Sequence, residues 1–99
     1  MAAEYRLSAR ADRDLAEIYV YTFEKFGELQ SDRYLLKLHD CLQRLAPEPD
    51  RGRVVRDVTG DYRRFDCGSH GIFYQDAPYG IFVVRVLHLA MDFPRHLPE

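Results

Sequence analysis

The period of the apolar positions changes along the chain, and each change marks an element. Glu4, Tyr5, Arg6 and Leu7 read as a short extended entry. Ser8 follows with a hydroxyl suited to capping a helix, which then begins at Ala9. Ala11, Leu15, Ile18 and Thr22 recur at helical spacing, Tyr19, Phe23 and Phe26 widen the stripe, and Gly27 ends it. A second stripe of Leu35, Leu38, Leu42 and Leu45, flanked by Leu29, Tyr34 and Cys41, runs until Pro47 and Pro49 stop it. So short a link at Gly27 makes a helical hairpin. Two amphipathic helices shield each other only in part, so their remaining apolar surface calls for a sheet.

Residues 47–60 are polar, with prolines, a glycine and alternating charge broken by Val54, Val55 and Val58, and they read as a surface loop. Alternation in the strand sense returns over residues 62–67. Gly68 and Ser69 make a turn, residues 70–75 form the next strand, and residues 76–80 make a second turn. Residues 81–88 are almost continuously apolar or β-branched, which places that strand inside the sheet with both faces covered. The expected fold is α+β in the order β-α-α-β-β-β: a helical hairpin packed on an antiparallel sheet with the first strand beside the last. Asp92 ahead of Phe93 and Pro94 reads as the cap of a final helical turn.

Ninety-nine residues suit a single domain, residues 1–99, with one two-layer core. A hydrophobic share of 46% is enough to offset the ordering entropy of a compact fold. No apolar run approaches the roughly 20 residues of a membrane helix, and the first residues lack the apolar stretch of a signal peptide. A cytoplasmic protein with no membrane partner is therefore expected. Cys41 and Cys67 lack the spacing of a zinc site or a redox pair, and in a reducing compartment they read as structural thiols. His39, His70, His88 and His96 have no metal-building spacing, so neither metal nor cofactor is expected. A net charge of −2 argues against a protein that grips nucleic acid through phosphates, and no sequence-specific nucleic-acid binding is expected. Charge is nonetheless uneven, with Arg51, Arg53, Arg56, Arg63 and Arg64 clustered in mid-sequence.

The C-terminal run from Arg85 to His88, with Met91, Asp92, His96 and Leu97, resembles the corresponding signature of ParE toxins of the RelE/ParE superfamily. Tyr62, Arg63 and Arg64, then Gly68, Ser69 and His70, then Phe73 and Tyr74, fit the same pattern. So do the entry from Tyr5 to Ser8, the helix opening at Ala11, Asp14, Leu15 and Ile18, and Tyr21 beyond it, so the resemblance covers nearly the whole chain. It implies a bacterial toxin of a type II toxin–antitoxin pair that inhibits DNA gyrase by binding it. It also implies a ParD-like antitoxin whose C-terminal segment wraps the toxin in a hetero-oligomer. On that reading the target surface comprises Arg63, Arg64, Arg85, His88, Met91, Asp92 and His96. The antitoxin surface comprises Leu15, Tyr19, Phe23, Tyr34, Leu38, Arg53 and Arg56, an apolar groove with a basic rim suited to an acidic amphipathic segment.

A rival reading comes from the RelE branch of the superfamily, whose members cut mRNA on the ribosome. That chemistry needs one group to take the 2′-hydroxyl proton, another to protonate the leaving oxygen, and cations for the phosphorane charge. His88, Arg85 and Arg63 are the candidates, while Glu48 sits between two prolines without an evident partner. Arg85 also has a plain structural role in prospect, paired with Asp66 or Asp92. A third reading is a toxin-fold binding module that has lost its activity.

Overall fold

Ser8 and Gly27 punctuate the first half of the chain as their chemistry requires. The computed structural model describes residues 2–56 and 58–91. Strand β1, Glu4–Leu7, gives way to helix α1, Ala9–Phe26, at Ser8, whose Oγ accepts the Ala11 backbone N–H at 2.9 Å. Such a cap is worth about 1 kcal/mol over alanine. Gly27 then serves both helices, donating to the Phe23 carbonyl of α1 and accepting from Ser31 N of helix α2, Glu28–Leu45. Its φ of 89° with ψ of 175° is a region essentially reserved for glycine, which lets one residue make the hairpin bend.

The remaining strands are β2, Arg53–Val54, β3, Arg63–Cys67, β4, His70–Ala77, and β5, Gly80–His88. They form one five-stranded sheet in the order β1-β5-β4-β3-β2. The first strand does lie beside the last, but parallel to it, with Tyr5 opposite Ile81, so the sheet is mixed rather than wholly antiparallel. A parallel pair needs a long crossover, and the helical hairpin with the β2–β4 strands is that crossover. β2, a short edge strand, lies inside the segment expected to be loop; its two residues are too few to show alternation. The loop's valines are not idle either. Val55 and Val58, with Tyr62 and Phe82, pack on Phe73, Val84 and Leu87 to make a second small core on the far side of the sheet. The expected turn at Asp92 lies outside the described residues.

The main core lies between the hairpin and the sheet, where Ala11, Leu38, Leu42 and Leu45 meet Ile72, Tyr74, Ile81, Val83 and Val86. Each such aliphatic side chain contributes about 1.5–3 kcal/mol on burial. β5 supplies Ile81 and Val83 to this core and then Val86, a change of parity that alternation alone forbids. A bulge resolves it: Tyr74 pairs with Val83 and Phe73 with Arg85, leaving Val84 as the extra residue. Leu38, proposed above for a partner surface, is 1% exposed in this core and has no surface to offer.

Two ties fasten α2 to the β3–β4 hairpin. The Tyr34 hydroxyl bonds His70 Nδ1 at 2.6 Å and accepts the Ser69 backbone N–H at 3.0 Å. The cysteines, expected as free thiols, are instead joined in a Cys41–Cys67 disulfide, with Cα atoms 6.7 Å apart. The expectation weighed the compartment and not the geometry: one cysteine lies on the sheet-facing side of α2, the other on the helix-facing side of β3. Closing a loop of 26 residues this way is worth about 3.5 kcal/mol in the chain-entropy picture.

Gly80 opens β5 with φ at 143°, where an added Cβ would overlap the Glu4 carbonyl oxygen across the β1–β5 pair. Gly80→Ala is therefore expected to lower stability by about 2–4 kcal/mol. Urea unfolding checks this, and an unchanged midpoint would show that β1 tolerates displacement.

Candidate functional site

β1 stops at Leu7, opposite Val83, and leaves the rest of β5 without a strand neighbour on that side. The start of α1 takes over the exposed edge. Ser8 N donates to the Val83 carbonyl at 2.9 Å, and Ser8 Oγ donates to the Val84 carbonyl at 2.9 Å. Nearly two turns later the Asp14 carboxylate accepts from the Val86 backbone N–H at 3.0 Å, and from Arg85 Nε at 2.7 Å and Nη2 at 2.9 Å. Both side chains are almost fully buried, Asp14 at 6% and Arg85 at 5% exposure. An ion pair so placed repays its desolvation only with full hydrogen bonding, which the fork-on-carboxylate geometry supplies.

At this anchor a groove of about 890 Å³ opens between α1 and the end of β5, with Arg10 and Glu17 also on its lining. Ile18, Tyr21, Thr22 and Phe26 of α1 form one wall. Gln30 and Tyr34 of α2 close one end, and Ser69, His70, Val86, Leu87 and His88 form the floor, with Met91 at the rim. Tyr21, Phe26 and Met91 are 59%, 67% and 48% exposed, so the groove presents apolar side chains to water. Such surface makes this groove the candidate docking site among the described residues. Among the described residues no helix is long and apolar enough to cross a membrane.

The floor holds a small polar cluster. His70 stacks edge-on against His88, with ring centroids 5.6 Å apart, while Tyr34 bonds its Nδ1. Burial first, and the neighbouring His88 second, push the His70 imidazole below its ordinary value, against an opposing pull from Asp14. His88 is exposed, and its Nδ1 accepts from Ala90 N at 3.2 Å.

Of the residues proposed from sequence for a target surface, Arg85, His88 and Met91 gather at this groove. Arg85 is paired there with Asp14 and not with Asp66, one of its two expected partners; the other, Asp92, lies outside the described residues. Arg63, on β3 two strands from β5, does not line the groove; it is half-buried, donating to the Gly52 carbonyl at 3.0 Å and paired with Asp76 at 3.5 Å. Arg64 lies over the Phe73 ring and bonds Asp66 at 2.7 Å. The ribonuclease set of His88, Arg85 and Arg63 therefore does not converge. Asp92 and His96 lie outside the described residues. Of the residues proposed for an antitoxin surface, Tyr34 lines the groove. Phe23 is exposed, and Tyr19 is half-buried and donates to Asp32 Oδ1 at 2.7 Å. Leu15 packs against the core, and Arg53 and Arg56 are exposed on the far strand and the loop after it. Sequence reasoning missed Thr22, Gln30 and His70 as groove residues. Tyr21 and Phe26, on neither of the surfaces proposed from sequence, are groove residues as well; the number of aromatic side chains on α1 is the one signal that could have found them.

The His70 shift fixes the sign of a pH dependence. Because the folded protein favours the neutral ring, the unfolded chain takes up a proton first as pH falls through the free value of 6.5. This contribution to stability is thus full above that pH and is lost as pH falls toward the lower folded value. Thermal unfolding between about pH 7.5 and pH 5 is expected to show a shallower loss in His70→Gln than in the parent chain. Parallel curves would assign the acid sensitivity elsewhere.

Comparison with known proteins agrees with this architecture. A family described as ParE toxin of type II toxin-antitoxin system, parDE, matches residues 5–93. Toxin ParE1 of Mycobacterium tuberculosis is 39% identical over 98 residues, covering 98% of this chain and 100% of the relative. Toxin ParE1 of Caulobacter vibrioides is 34% identical over 93 residues, covering 94% and 96% of the two chains. A solved structure titled as a chromosomal ParDE system from P. aeruginosa superposes with a TM-score of 0.74 over 88% of this chain and 96% of that one; at 14% identity this likeness speaks for the fold alone. A family match across nearly the whole chain and relatives above 30% identity over their full length make this chain a member of the ParE toxin family of the RelE/ParE superfamily.

Proposed function

We propose that this ParE-family toxin acts by inhibiting DNA gyrase through direct binding, and that a ParD-like antitoxin neutralises it by occupying the groove between α1 and the end of β5. The observation behind this reading is the groove itself, with Tyr21, Phe26 and Met91 exposed along a rigid wall anchored by Asp14 and Arg85. An amphipathic segment laid in such a channel buries its apolar face against these side chains. The target surface is drawn from His88, Met91 and the residues that follow, including Asp92 and His96. His88 and Met91 border the same groove, so an antitoxin seated there blocks the target surface directly. Neutralisation is then occlusion, with no change of toxin conformation required.

Binding and not bond cleavage is the favoured mode because neither arginine of the ribonuclease set is at hand for a phosphorane beside the histidines, and the groove's other arginine, Arg10, belongs to the first turn of α1. Arg85 is held by the Asp14 carboxylate, and Arg63, two strands from β5 and outside the groove, is engaged by Gly52 and Asp76. The decisive experiment is a supercoiling assay with purified gyrase, run beside a ribosome-dependent mRNA cleavage assay. Loss of supercoiling with intact message is expected, whereas cut message with working gyrase would transfer the chain to the ribonuclease reading. Growth unaffected by induction without the partner would mark it as an inactive binding module. For the antitoxin site, Tyr21→Asp with Phe26→Asp is expected to weaken ParD-like antitoxin binding by at least about tenfold while leaving the unfolding midpoint unchanged. Titration calorimetry beside thermal unfolding reads both, and undiminished affinity would place the antitoxin elsewhere.

A further inference from the structure

A second, smaller cavity lies farther along α2, toward its C-terminal end. It holds about 140 Å³ and is lined by Cys41, Arg44, Leu45, Arg51 and Phe65. Cys41 is half-buried and borders the cavity, whereas Cys67, its disulfide partner, is 4% exposed in the core and does not. The two sulfurs of one bond therefore differ in access. The surroundings also have a sign. Arg44 and Arg51 flank the opening, in solvent-exposed pairs with Asp40 at 3.2 Å and Glu48 at 3.4 Å, and Arg51 also lies over the Phe65 ring at 5.9 Å. Exposed pairs of this kind are worth little and reorient readily toward a new anion. Neither carboxylate lines the cavity.

We propose that Cys41 is a site of thiol–disulfide exchange with a small, carboxylate-bearing thiol. The incoming thiolate approaches through the cavity while Arg44 and Arg51 hold its carboxylates, and attacks Cys41 Sγ. A new S–S bond forms there as the Cys41–Cys67 bond breaks. The electron pair leaves on Cys67 Sγ, which takes a proton from solvent. One thiol enters, and the products are a mixed disulfide on Cys41 and a free Cys67 thiol, so no further oxidant or reductant is needed. Access selects the sulfur, since attack on Cys67 requires entry into the packed core. The exchange removes one of the two ties between α2 and the β3–β4 hairpin. The Tyr34 bonds to Ser69 and His70, which border the docking groove, remain as the other. Redox state is thereby coupled to the seating of a groove wall.

The test treats the full-length disulfide-bonded protein with glutathione or with cysteamine, a cationic thiol, at matched thiolate concentration. Adducts are trapped by acid quenching and mapped by peptide mass spectrometry. Glutathione is expected on Cys41 in excess over Cys67 by at least about tenfold, and to react about threefold or more faster than cysteamine. Arg44→Gln with Arg51→Gln, both surface changes that leave the fold intact, is expected to abolish that preference. Adducts on Cys67, no adduct on Cys41 at any time, or rates indifferent to thiol charge would each overturn the proposal.

Discussion

A single buried carboxylate decides how the two layers of this protein sit on each other. The β1–β5 pairing ends at Leu7 and Val83, so the second half of β5 has a bare edge, and bare backbone groups in a core are costly. Asp14 meets that need from the side, bonding Val86 N and gripping the Arg85 fork. The same contact fixes where α1 crosses the sheet. Because the anchor lies at the front of the helix and the disulfide and Tyr34 hold α2 behind, the span between them is left open as the groove. Docking surface and structural keystone are thus two consequences of one short first strand.

Local chemistry made much of the fold legible. The Ser8 cap, the Gly27 bend, the leucine stripe of α2 and the turn at 68–69 each depend on neighbours within a few residues, and each appears where its pattern places it. The turn expected over residues 76–80 is instead confined to Pro78 and Tyr79, because strand pairing extends through Asp76, Ala77 and Gly80. Arg85 resisted the same reasoning because its partner is 71 residues away and nearer carboxylates competed for it on paper. Parity failed inside β5 as well: the bulge at Val84 moves the strand out of simple alternation, and no residue type announces it. β2 is two residues long and Leu38 sits on a helix face whose burial depends on the sheet beneath, so both were settled only by packing.

The candidate site was half legible for a related reason. Surplus aromatic residues on α1 signalled an exposed apolar wall, since one helix against one sheet has no use for so many. The arginines misled. Clustering in sequence suggested one basic surface, but Arg63 and Arg64 are neighbours on a strand with separate engagements, one at Gly52 and Asp76, the other over Phe73 and at Asp66. Family membership implies a way of acting, and the groove, flanked by the Asp14–Arg85 pair, is the site proposed for it.

Whether the buried pair is the keystone is answered most directly by a double-mutant cycle, with urea unfolding of Asp14→Asn, Arg85→Gln and the two together. Each single change leaves the other group buried without its partner, and should cost about 3 kcal/mol or more, with the double variant losing clearly less than the sum. Additive losses below about 1 kcal/mol each would contradict the account and leave the placement of α1 to hydrophobic packing alone.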